Sequence, residues 1–178
     1  GRLTHRILVE PFNLYDCERY FTHFGFRYSR KQIAECYMVM GGIPYYFSMM
    51  DTSLSLAQNI DRLFFGADSE LNGEFSALYR ALFKKPEPYI AVVTALAQVG
   101  KGLTRQEILR RTSLPDNGEF SRVLEELEQC GFIRSYLPFN SQTLQSDGRL
   151  PSDTLFQLTD FFTMFYFSFI SKNHYHDS

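Results

Sequence analysis

Apolar residues recur along most of this chain at helical spacing, in short runs separated by glycine, proline and polar stops. Asn13 is a good helix cap with Asp16 three residues on, and Leu14, Cys17, Phe21 and Phe24 follow as one stripe that Gly25 ends. Ser29 with Gln32 forms a capping box ahead of Ile33, Cys36, Tyr37 and Met40, and Gly41-Gly42 stops that helix. Pro44 suits the first turn of a short helix from Tyr45 to Met50, in which Tyr45 and Tyr46 are expected to be core. Ser55 opens another helix carrying Leu56, Ile60, Leu63 and Phe64, and Leu71, Phe75, Leu78, Leu82 and Phe83 make one more. Residues 11–84 are thus expected to be a set of short helices. Ahead of them, Leu3 to Glu10 is expected to be a short strand closed by Pro11, although only helices follow it.

Lys84 to Pro88 is a polar, proline-bearing break, and the domain boundary is placed there. Beyond it, Ile90, Val93, Leu96 and Ala97 mark a helix ended by Gly100-Lys101-Gly102. Thr104 and Glu107 box a short second helix with Ile108 and Leu109, closed by Leu114-Pro115. A third helix, from about Asn117 to Cys130, carries Phe120, Val123, Leu124 and Leu127. Phe132 to Phe139 and Leu155 to Leu158 are expected to be strands, joined by a polar, low-complexity tip, Ser141 to Ser152, expected to be mobile. An aromatic helix, Phe161 to Ile170, follows and is expected to be buried. Three helices with a short second and an amphipathic third, then a hairpin, is the order of a winged helix-turn-helix. The fold class expected is therefore mainly α with a small β-hairpin.

Composition narrows the chemistry. The 44% hydrophobic and 16% aromatic content supplies cores for one or two domains in 178 residues, and the net charge of -2 gives no support to a general nucleic-acid binder. Cys17, Cys36 and Cys130 have no CxxC spacing, and all three sit on apolar stripes as expected buried residues. His174 and His176, in the polar tail, are a poor metal pair, so no metal site is expected. No apolar run is long enough to span a membrane and no secretory segment opens the chain, which makes a cytoplasmic setting the expectation. No GxxxxGKS/T, GxSxG or HExxH is present, so the chain alone is not expected to be an enzyme.

Three segments together resemble the archaeal-type ATPase family, a branch of the STAND/AAA+ P-loop superfamily. GRLTHRILVEPF (Gly1 to Phe12) resembles the last strand of that family's core. YMVMGGIPYYFSMMDTSLSLAQNIDRLFF (Tyr37 to Phe65) resembles its helical lid. IAVVTALAQVGKGLTRQEIL through LEELEQCGFIRSYLPF (Ile90 to Phe139) resembles the winged helix after the lid. The resemblance implies residues 1–12 as the end of an ATPase core, 13–84 as the lid, and 85–178 as the winged-helix domain. It also implies an upstream P-loop core as partner, with ATP and Mg²⁺ bound only by the intact parent. Gly42, Ile43 and Pro44 match the element that packs on adenine, and Arg2 falls where relatives carry a phosphate-sensing arginine.

Whether the winged helix would meet DNA turns on charge. Its third helix presents Glu119, Glu125, Glu126 and Glu128 with Arg122 as its one base, which repels phosphates. Arg105, Arg110 and Arg111 on the second helix are the candidates for phosphate or protein contact. A regulatory or protein-interaction role is expected over a free-standing DNA regulator. A further alternative is an interaction module with an exposed aromatic patch at Phe161 to Phe169.

Overall fold

The structure is a computed structural model that describes residues 10–66, 69, 71, 73–138 and 151–171. The expected strand from Leu3, the candidate Arg2, the hairpin tip from Ser141 to residue 150, and His174 and His176 lie outside the described residues. The protein is mainly helical with one small antiparallel sheet, and it divides into two compact units, 1–69 and 70–178.

The first unit holds α1 (Leu14–His23), α2 (Arg30–Met40), α3 (Pro44–Ser48) and α4 (Leu56–Ile60), which runs into a π-helical turn, Asp61–Phe65. The caps expected from the sequence are in place. Asn13 with Asp16 and Ser29 with Gln32 form capping boxes, as does Ser55 with Gln58, and Pro44 is at the first turn of α3. Each such cap stabilises its helix by about 1 kcal/mol. Cys17 and Phe21 of α1 face Ile33, Cys36 and Met40 of α2, and Phe47, Leu63 and Phe64 close the core. Phe21 is its aromatic hub, with ring centres 4.9 Å from Phe47 and 5.2 Å from Phe26.

Among the described residues of this unit, one polar side chain, that of Asn59, is fully buried. Asn59 accepts from the Asp51 N–H at 2.8 Å and donates back to the Asp51 carbonyl at 2.8 Å, and its amide also reaches the Tyr28 hydroxyl at 3.1 Å. It thereby satisfies the turn that joins α3 to α4, where an apolar residue would leave two backbone groups unpaired.

The second unit begins with α5 (Glu74–Leu82) and α6 (Glu87–Val99), then β1 (Leu103–Thr104), α7 (Arg105–Thr112) and α8 (Gly118–Gln129). The strands β2 (Ile133–Tyr136) and β3 (Leu155–Leu158) follow, and α9 (Phe161–Phe165) leads into a second π-helical turn, Tyr166–Ile170. The sheet order is β1-β3-β2, all antiparallel, with Leu103 opposite Phe156 and Ile133 opposite Leu158. Phe156 and Leu158 point inward and meet the buried face of α6, Val92, Val93 and Leu96.

Three features differ from the sequence expectation. The sheet has a third strand, because Leu103 and Thr104 pair with β3 while Thr104 also caps α7. The compact units divide at residues 69 and 70, not at the proline-bearing break at 84–88, because α5 packs into the second unit. Phe75 stacks on Tyr166 with ring centres 4.3 Å apart, Tyr79 lies 4.9 Å from Phe132, and Phe83 stacks on Tyr89 at 3.8 Å. Finally, Cys130 is exposed: α8 ends at Gln129, so Cys130 falls past the apolar stripe as the helix cap.

Candidate functional site

Gly42, Ile43 and Pro44 form the corner between α2 and α3. Gly41 caps α2 at a φ of +63°, a conformation that favours glycine, and donates to the Tyr37 carbonyl at 2.8 Å. Gly42 is buried against the chain itself. The Phe12 N–H donates to the Gly42 carbonyl at 2.7 Å, and a Cβ at Gly42 would meet the Phe12 backbone, with Phe12 N and C each at 2.8 Å and the carbonyl oxygen nearer still. The close backbone approach that a glycine permits is thus used by Phe12.

Ile43 is half-buried, and Pro44 is exposed. Tyr45 is 59% exposed, which corrects its expected place in the core; Tyr46 is buried as expected. The five-residue α3 turns one face inward, and Tyr46 and Phe47 occupy it, so Tyr45 is left on the outer face beside Pro44. The exposed side chains of this corner are therefore Pro44 and Tyr45.

The candidate arginines of α7 separate into two kinds. Arg105 donates to the Asp116 carboxylate at 2.9 and 2.6 Å and to the Asn117 carbonyl at 3.3 Å, and its guanidinium lies 4.7 Å from the centre of the Phe120 ring. It ties the α7–α8 turn together. Arg110 and Arg111 are exposed in the last turn of α7, where their charge suits the negative end of the helix.

The acids of α8 are largely held by the protein itself. Glu126 accepts from the Tyr89 hydroxyl and lies 3.9 Å from Arg122, which is also 3.9 Å from Glu119. Burial and the hydrogen bond to Glu126 push the Tyr89 phenol up to about 12, so it stays a donor. Glu128 accepts from the backbone and hydroxyl of Ser135 at 2.7 and 2.6 Å, joining α8 to β2.

Neither buried thiol is an activated nucleophile. Burial pushes Cys17 up to about 11 and Cys36 up to about 12, and both thiols remain protonated and unreactive at neutral pH. Among the described residues, no three His, Cys, Asp or Glu side chains gather as a metal site requires, and no helix is long and apolar enough to cross a membrane. The aromatic segment after β3 is divided: Phe162, Thr163 and Ile170 are buried, whereas Phe169 is exposed with its ring 5.1 Å from Phe165.

Comparison of the chain with protein-family models, with curated proteins and with solved structures finds no match in any of the three.

Proposed function

We propose that the chain is the lid and winged-helix regulatory portion of a P-loop ATP-binding protein of the STAND/AAA+ type, and that it is not catalytic in isolation. The observation that carries this reading is the topology of the second unit. Helix, short strand, helix, helix and hairpin follow in order, with the first strand pairing against the last in a β1-β3-β2 sheet. That arrangement supports a winged helix-turn-helix, and the helical unit ahead of it supports a lid. At the Gly42-Ile43-Pro44 corner, the exposed Pro44 and Tyr45 are the apolar plate against which an adenine would lie. The phosphates and Mg²⁺ would be held by the parent's P-loop core, in a reducing cytoplasmic setting that suits the free thiols.

The winged helix is proposed to act on protein and not to read DNA. Of the two arginine types on α7, Arg105 is internal, and only Arg110 and Arg111 remain for phosphates. The α8 face opposes phosphate with Glu119 and Glu125, both exposed. Titrating the chain with a duplex DNA of about 20 base pairs at low salt tests this. Weak binding with little salt dependence is expected, and tight binding with a steep salt dependence overturns it in favour of a DNA regulator. Incubation of the chain with ATP and Mg²⁺ is expected to give no turnover above background.

A further inference from the structure

The α5–α6 corner and the front half of α8 enclose a groove of about 390 Å³ in the second unit. This is near the lower end of the volumes of ligand pockets, about 300–1,000 Å³. Its floor is apolar. Phe83 stacks on Tyr89 with ring planes 10° apart, and the buried Val123 lies beside them. Leu82, 48% exposed, and the half-buried Pro88 form one apolar lip.

The charges around this floor are not balanced alike. The two acids that line it have partners within the protein: Arg122 lies 3.9 Å from both Glu119 and Glu126, and the Tyr89 hydroxyl also donates to Glu126. The two lysines that line it, Lys84 and Lys85, are exposed and have no ion pair among the described residues. They stand just ahead of α6, whose first turn carries the exposed Glu87. An apolar floor with two uncompensated ammonium groups on its rim is complementary to an apolar side chain flanked by carboxylates.

We infer that this groove docks an extended acidic segment of a partner protein, with one apolar side chain against Leu82 and Pro88 and carboxylates facing Lys84 and Lys85. The inference rests on the reading of the second unit as a protein-interaction module and supplies the chemistry of its partner. Nucleic acid is the poorer occupant, because the aromatic rings of the floor are buried and stack on each other, leaving no face for a base.

The test uses the full chain and a fluorescein-labelled peptide, Glu-Glu-Leu-Glu-Glu, followed by anisotropy at about 50 mM salt, where surface charge is weakly screened. Saturable binding is expected, weakened by about tenfold or more in the Lys84→Glu/Lys85→Glu variant and weakened again by added salt. The same peptide with lysine in place of glutamate should fail on the natural chain and gain affinity for the variant. Because both lysines are exposed, the variant should keep the natural circular dichroism spectrum. Absence of saturable binding, or binding that ignores the charge reversal, overturns the groove. So does displacement of the peptide by duplex DNA from these same lysines. DNA binding that survives in the variant would instead sink the non-DNA reading of the unit and leave the groove standing.

Discussion

At Gly42 the backbone of Phe12 occupies the space that a side chain would need, and the two residues share a 2.7 Å hydrogen bond. Gly42→Ala must push Phe12 away, because the colliding atoms are backbone and have no rotamer to change. A loss of about 1–3 kcal/mol is expected, as for overpacked cores, read by chemical denaturation. An unchanged midpoint would show that the segment before α1 is not held there. Asp160 makes a different demand. It caps α9, accepting from the Thr163 N–H at 2.7 Å, and burial holds its carboxyl above the usual range. The folded chain therefore keeps this proton more tightly than the unfolded chain, which ionises near pH 4. The stabilising share is complete below that pH and is lost as pH rises through the raised value. Asp160→Asn keeps the capping acceptor without the charge. It is expected to gain stability over the natural chain near neutral pH, with the gain shrinking at about pH 4. An equal difference at both pH values would count against a buried charge.

Among the elements, α5 decides where one unit ends. Its inward residues Phe75, Tyr79 and Phe83 are buried on aromatic partners of the second unit, and Leu82 on the same helix is half in solvent. Tyr79→Ala is expected to cost about 3–5 kcal/mol in the full chain, and Leu82→Ala less than about 1 kcal/mol. Urea midpoints of the two variants check this, and equal small effects would remove α5 from the core. The caps of α1, α2 and α7 were legible in the sequence because each depends on two residues at fixed spacing. The strand β1 was not, because two residues carry no period and Leu103 is defined by its partner Phe156. The boundary was not legible either. Lys84 to Pro88 has the composition of a linker, yet it is a corner whose flanking rings, Phe83 and Tyr89, stack across it. Tyr45 and Cys130 were misplaced for a related reason: each sits one position outside a stripe whose register is set by packing.

On the scale of the whole molecule, two units with separate aromatic cores divide the labour proposed here. The first carries the corner at Gly42 to Pro44, and the second carries the sheet and the groove beside α8. The geometry of both was partly readable from residue type. Gly42 signalled a close approach, and the sequence could not say that Phe12 makes it. The acidic character of α8 was plain in the sequence, but the partners of those acids were not, since Tyr89 and Ser135 join them only through folding.

Those partners limit how α8 can be re-engineered or drift. Replacing Glu126 and Glu128 by arginine, the shortest route to a helix that would lie in a DNA groove, would strand the Tyr89 hydroxyl and unfasten β2 at Ser135. On the reading proposed above, any descendant or design that converts this unit into a DNA reader must therefore rebuild the joint between α6, α8 and the sheet first, which sets a structural toll between the two lifestyles.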